Sequence, residues 1–162
     1  MRASWASSSG DSCHRSFFRM RLSERAQPTD DVDPVQEYLI SQANLRGFHG
    51  AYTTQSSELD SELSLEEIIA GLLMPHADAD GRVLKLVLRI LQSGQVDLER
   101  LLLICRAERA LGTLAWLVEL VPEEERSAPV VALSKKLIAA PPRDFRRPKY
   151  DYSPQRLIRK VR

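Results

Sequence analysis

Residues 64–93 read SLEEIIAGLLMPHADADGRVLKLVLRILQS, and this stretch decides the fold. Ser64 and Glu67 form a capping-box pair: the hydroxyl can accept the Glu67 amide while the carboxylate reaches back to the Ser64 amide. Leu63 and Ile68 occupy the staple positions on either side of that first turn. The spacing predicts a helix that starts at Leu65 and ends near Met74, because Pro75 has no amide for the next turn. A further helix is predicted from about Asp80 to Ser93, with Gly94 after it. It is apolar at Val83, Leu84, Leu86, Val87, Leu88, Ile90 and Leu91, which leaves only Arg82, Lys85, Arg89 and Gln92 polar. Such a helix must be buried nearly all round and should lie at the centre of the core. Burial of those side chains is worth on the order of 10–20 kcal/mol of gross hydrophobic stabilisation, an upper limit because the unfolded chain already hides some surface.

The same punctuation extends in both directions. Upstream, Asp33 can cap a helix whose first position is Pro34, a residue preset for that place, and Val35, Tyr38, Leu39 and Ala43 then share a face. Gly47 is a natural stop. Residues 53–61, TTQSSELDS, carry no apolar period and read as a mobile connection. Downstream, Asp97 can cap a helix in which Leu98, Leu101, Leu102 and Cys105 point inward while Arg106 and Arg109 point out. Gly112 and Thr113 are the expected break. Leu114, Trp116, Leu117, Leu120 and Val121 continue the apolar pattern to Pro122, as a kinked continuation or a separate helix. A last helix is predicted from about Pro129 to Ala140, with Val130, Leu133, Leu137 and Ile138 inward and Lys135 and Lys136 outward, stopped by Pro141 and Pro142. No useful strand alternation and no regular repeat occurs. The expected fold is all-α: a compact bundle of five to six mostly antiparallel helices.

At 162 residues the chain has room for one domain rather than two. The expected organisation is a disordered leader over 1–32, a helical domain over 33–140 and a basic tail over 141–162. Residues 1–19 are rich in Ser and Arg and lack the apolar stretch of a secretory signal. They read as a disordered arm or an upstream mis-start before Met20, with a transit-type leader as the alternative. Two cysteines, Cys13 and Cys105, are too few for a disulfide framework and have no zinc-binding spacing, which fits a reducing, cytoplasmic setting. The longest apolar runs fall far short of the roughly 20 residues a membrane helix needs.

Charge is strongly partitioned. Residues 143–162 hold eight Lys/Arg against two acids, Asp144 and Asp151, whereas residues 26–142 hold ten basic against eighteen acidic groups. A basic tail on an acidic body is drawn to acidic protein surfaces, nucleic-acid phosphates or anionic lipid within about a Debye length, roughly 8 Å at physiological salt. The tail also contains four prolines, which forbid a continuous helix, and three aromatics that offer contact area. Arg143, Phe145, Arg146, Arg147, Tyr150, Tyr152, Arg156, Arg159 and Lys160 are therefore the partner-binding candidates. Alternatively, the tail folds back and pairs with carboxylates of the body.

Three functional readings follow. The first is a non-enzymatic regulatory module, adaptor or antitoxin-like inhibitor, whose tail orders on an acidic partner protein. The second is nucleic-acid binding through the tail and the stripe Arg82, Lys85 and Arg89, which recurs at three- and four-residue spacing. Against it stands the helix opening Leu98, Glu99, Arg100 and Leu101, a poor face for reading bases. The third is a metal-dependent enzyme on His76, Asp78 and Asp80. Its difficulty is that the calcium-loop template fails, with Val87 where a bidentate Glu belongs, and that either Asp serves equally well as a helix cap. Cys105 on an apolar face behaves as a small hydrophobe, and His49 beside Phe48 and Tyr52 lies in a returning loop that could form a pH-sensitive contact. No catalytic triad order, phosphate-cradling loop or dinucleotide fingerprint occurs, so neither a cofactor nor a resident metal is expected. A homodimer is compatible with the apolar helical set, with Trp116 as an anchor if it is not in the core.

Overall fold

The helix starts marked by Asp33, Ser64, Asp80 and Asp97 are all realised in the computed structural model, which describes residues 21–26, 33–51, 53, 57–74 and 80–141. Asp33 accepts the Val35 amide at the start of α1 (Pro34–Leu45). The Ser64–Glu67 capping box closes in both directions, at 3.2 and 2.8 Å, and opens α2 (Leu65–Leu73). Asp80 accepts from Arg82 and Val83 at the head of α3 (Gly81–Gln92), and Asp97 from Glu99 and Arg100 at the head of α4 (Leu98–Ala107). Two further helices, α5 (Leu111–Glu119) and α6 (Ala128–Ala139), follow, separated by a 3₁₀ turn at Glu123–Glu125. The described residues contain no strand, so the fold is an all-α bundle. None of its helices is long and apolar enough to cross a membrane.

Apolar burial explains how the helices pack. In α3, Val83, Leu84, Leu86, Val87, Leu88, Ile90 and Leu91 are all buried, as the composition of that helix demanded. The element with most neighbours is nonetheless α2, which packs against α1, α3 and α4 and buries Ile68, Ile69, Leu72 and Leu73. On the other side α6 lies against α3 and α5. Glu66, also buried, accepts the Asp97 amide at 2.7 Å and so ties the first turn of α2 to the start of α4. Leu22 is fully buried in the same core, so packed structure begins ahead of the boundary expected at residue 33.

Three expectations need correction. The break between α4 and α5 falls at Glu108–Ala110, and Gly112 and Thr113 are buried inside α5. Arg109 takes φ +57° there, and the Ala110 amide donates to the Cys105 carbonyl at 2.8 Å, which ends α4 with a left-handed residue where glycine is usual. Ile138, assigned inward, is 77% exposed, while Val130, Leu133 and Leu137 of the same helix are buried. The described part of the 53–61 connection is held against α1 by side-chain hydrogen bonds and is no loose link. Trp116 is half-buried and packs against the core.

Gly50 carries a prediction. Its φ of +148° disfavours any side chain, and a Cβ built there would lie 2.8 Å from Arg89 Nη1. Gly50→Ala should cost about 1–3 kcal/mol in urea unfolding, through backbone strain and a displaced guanidinium. A loss below about 0.5 kcal/mol would show that the turn tolerates a side chain.

Candidate functional site

The densest set of polar side chains in the described molecule lies where residues 57–62 cross α1. Nine consecutive residues of α1, Val35 to Ala43, are buried, and they include Gln36, Glu37, Ser41 and Gln42. A polar face this deeply covered must find partners. Ser41 Oγ lies 2.7 Å from Ser57 Oγ. Gln42, fully buried, donates through Nε2 to the Glu58 carbonyl at 2.7 Å and to Ser57 Oγ at 3.2 Å, and accepts the Asp60 amide on Oε1 at 2.9 Å. Arg46, the residue that caps α1, reaches the carbonyls of Asp60 and Leu63 at 2.5 and 2.6 Å. Its other amino group donates to Gln42 Oε1 at 2.9 Å, which fixes the orientation of that carboxamide.

Asp60 closes the arrangement. Its carboxylate accepts from Tyr38 Oη at 2.9 Å, pairs with Arg25, and accepts the Glu62 amide at 3.1 Å. Partial burial pushes the Asp60 carboxyl up, but the Tyr38 hydroxyl, the Glu62 amide and the Arg25 charge outweigh it and hold the pKa below the ordinary carboxylate value. Tyr38 moves the other way: burial and then Asp60, as acceptor and as negative charge, push the phenol up. Burial lowers the Arg46 guanidinium, and Asp60 draws it part way back. The cluster therefore stores one fixed anion between two guanidinium groups and fastens a segment to a helix.

The residues singled out in the sequence fare differently. Asp80 spends one carboxylate oxygen on the amides of Arg82 and Val83 and the other on Arg82 Nε at 2.8 Å, the cap role weighed against a metal ligand. His76 and Asp78 lie outside the described residues, as do Tyr52 and all the tail candidates from Arg143 to Lys160. Among the described residues no group of three His, Cys, Asp or Glu could hold a metal ion. In the Arg82, Lys85 and Arg89 stripe, Arg82 is exposed and paired with Asp80, and the Arg89 guanidinium lies over Gly50. Lys85 is half-buried. His49 is exposed, next to a buried Phe48 that anchors the returning loop.

Cys105 is fully buried, and burial, then the charge of Glu108, push its thiol far above the ordinary value. In a Cys13→Ser chain the native protein should resist iodoacetamide and take up one equivalent only on unfolding. Rapid native labelling would show the thiol to be reachable.

Sequence reasoning missed the Asp60 cluster because its members, Tyr38, Gln42, Arg46, Ser57 and Asp60, are scattered over two segments with no motif linking them. The one available signal was the unusual density of short polar residues in TTQSSELDS opposite a polar face of α1. Compared with known proteins, the chain matches no family model, no curated protein and no solved structure.

Proposed function

We propose that this chain is a non-enzymatic protein-binding module in which the helical body is a scaffold and residues 141–162 engage an acidic partner protein. The observation that carries this reading is the partition of charge, eight Lys/Arg against two acids in residues 143–162 on a body in which acids predominate. Aromatic and arginine side chains are the types that contribute most to protein interfaces, and Phe145, Tyr150, Tyr152, Arg146 and Arg147 supply both. Two features of the body support the reading. Ala139, Ala140 and Pro141 are exposed, so the chain leaves α6 at the surface, next to solvent. Two of the three cations in the α3 stripe already have company, Arg82 from Asp80 and Arg89 from the turn at Gly50, which weakens the stripe as an alternative binding face. A regulatory role in a reducing cytoplasm accords with a chain whose buried cysteine is free.

The test compares the full chain with one ending at Ala140 as bait in host lysate, with nuclease treatment and a salt series. An acidic protein retained by the full chain and lost from the shorter one supports the module. Retention of the same protein by both removes the tail from the binding site. Nuclease-sensitive material whose binding falls steeply with salt would replace this reading with nucleic-acid binding.

A further inference from the structure

The contacts that hold residues 57–60 resemble recognition of a peptide more than closure of a loop. One helix face supplies almost all of them: Tyr38, Ser41, Gln42 and Arg46, at spacings that put them along one side of α1. Gln42 grips the backbone at both ends of a dipeptide step, taking the Asp60 amide and giving to the Glu58 carbonyl. Only two side chains of the held segment are read. Ser57 meets Ser41 and Gln42, and Asp60 meets Tyr38 and Arg25. Glu58 and Leu59 between them are exposed, Leu59 at 57%, and Glu58 is held through its carbonyl. An apolar side chain turned outward at the middle of the segment contributes nothing to the core.

From this geometry we infer that the polar face of α1, completed by Arg25, is a docking ladder for an acidic peptide of pattern Ser-x-x-Asp from a partner protein, occupied here in cis by residues 57–60. Charge complementarity sets the acidic position: Arg25 and Arg46 flank it, and the Tyr38 hydroxyl fills the remaining acceptor site. The serine position is set by the Ser41 hydroxyl and the Gln42 carboxamide, the latter as donor. The two unread positions take any residue. The tethered segment competes at an effective concentration in the millimolar range, so a partner peptide binds when the cis segment is weakened or outmatched. Like the tail in the proposed function, this surface meets an acidic ligand with positive charge, but the charge comes from Arg25 and Arg46 and not from residues 143–162.

The experiment uses the full chain with Ser57→Ala and Asp60→Ala together, and a labelled peptide QSSELDSEL corresponding to residues 55–63, followed by fluorescence polarisation. The variant should bind the peptide at least about tenfold more tightly than the unaltered chain, whose ladder is filled. A peptide with Asn in place of the aspartate should bind about tenfold or more weakly to the same variant. Circular dichroism establishes that the variant is folded; if it is not, the milder Asp60→Asn chain takes its place with the same expectations. Equal binding of a scrambled peptide, or no uptake by a folded variant, overturns the inference. Dimerisation of the variant on size exclusion without peptide uptake overturns the partner in favour of exchange between two copies.

Discussion

Leu72→Ala should lower the unfolding free energy by about 3–5 kcal/mol, more than most single changes in this chain. The reason is its position. Leu72 has 0% exposure on α2, the helix that packs against α1, α3 and α4, so a cavity there is walled by several elements and cannot collapse without moving them. A loss of that size is a large share of the 5–15 kcal/mol typical of a domain. Leu103→Ala, on the outer side of α4 at 66% exposure, is the control and should change stability by less than about 0.5 kcal/mol. Guanidinium titration should show the midpoint of the Leu72 variant falling with an unchanged slope. If the two substitutions cost the same, α2 is not the centre of the bundle.

Where local chemistry and tertiary packing agree, the chain announces its structure. The starts of α1, α2, α3 and α4 depend on a cap side chain two or three residues from the amides it satisfies, so the information is contained within one turn. The burial of α3 is equally local, because an almost wholly apolar helix has no face to offer water. The α4–α5 break is a different case. A left-handed conformation at Arg109 costs about 1–2 kcal/mol for a residue with a Cβ, so glycine is the residue sequence reasoning looks for. Here the turn is kept by the Ala110 to Cys105 hydrogen bond and by the burial of Ala110 and Leu111, both properties of the assembled bundle. Ile138 is the converse: it falls next to buried Leu137 in the sequence, but α6 packs chiefly on α3 and α5, and Ile138 is left 77% exposed.

The polar cluster was illegible for a related reason. A segment without apolar period looks mobile when hydrophobic burial is the only stabilisation considered. Residues 57–62 are fixed instead by hydrogen bonds to polar side chains of α1 that lie outside its apolar set Val35, Tyr38, Leu39 and Ala43. Each half looks unremarkable alone, and only their approach turns Gln42 and Asp60 into partners. The charge partition between body and tail, by contrast, is a property of composition and is visible without any coordinates.

Gln42→Leu tests whether that approach is worth what its geometry indicates. Leucine fills a similar volume, but it leaves the Asp60 amide and the Glu58 carbonyl without their buried partner and takes from Arg46 Nη1 one of its two acceptors, the backbone carbonyl of residue 42 remaining. The expected loss is about 2–4 kcal/mol at neutral pH, since each stranded group costs about 1–3 kcal/mol and part of the segment can relax into water. The same cluster fixes the pH dependence. Asp60 has a lowered pKa in the folded chain, so its contribution is present above the unfolded value near 3.8 and is lost as pH falls from there through the lower folded value. Tyr38 has a raised pKa, so its contribution is complete below the unfolded value of 10.0 and is lost as pH rises through the higher folded value. In Gln42→Leu the segment moves away from Tyr38 and Arg25, the Asp60 pKa returns toward normal, and the acid-side loss shrinks. Urea titrations of both proteins at pH 7 and pH 3 should therefore show a smaller drop for the variant. Identical drops, with a neutral-pH cost below about 1 kcal/mol, would mean that Gln42 does not hold Asp60 in place.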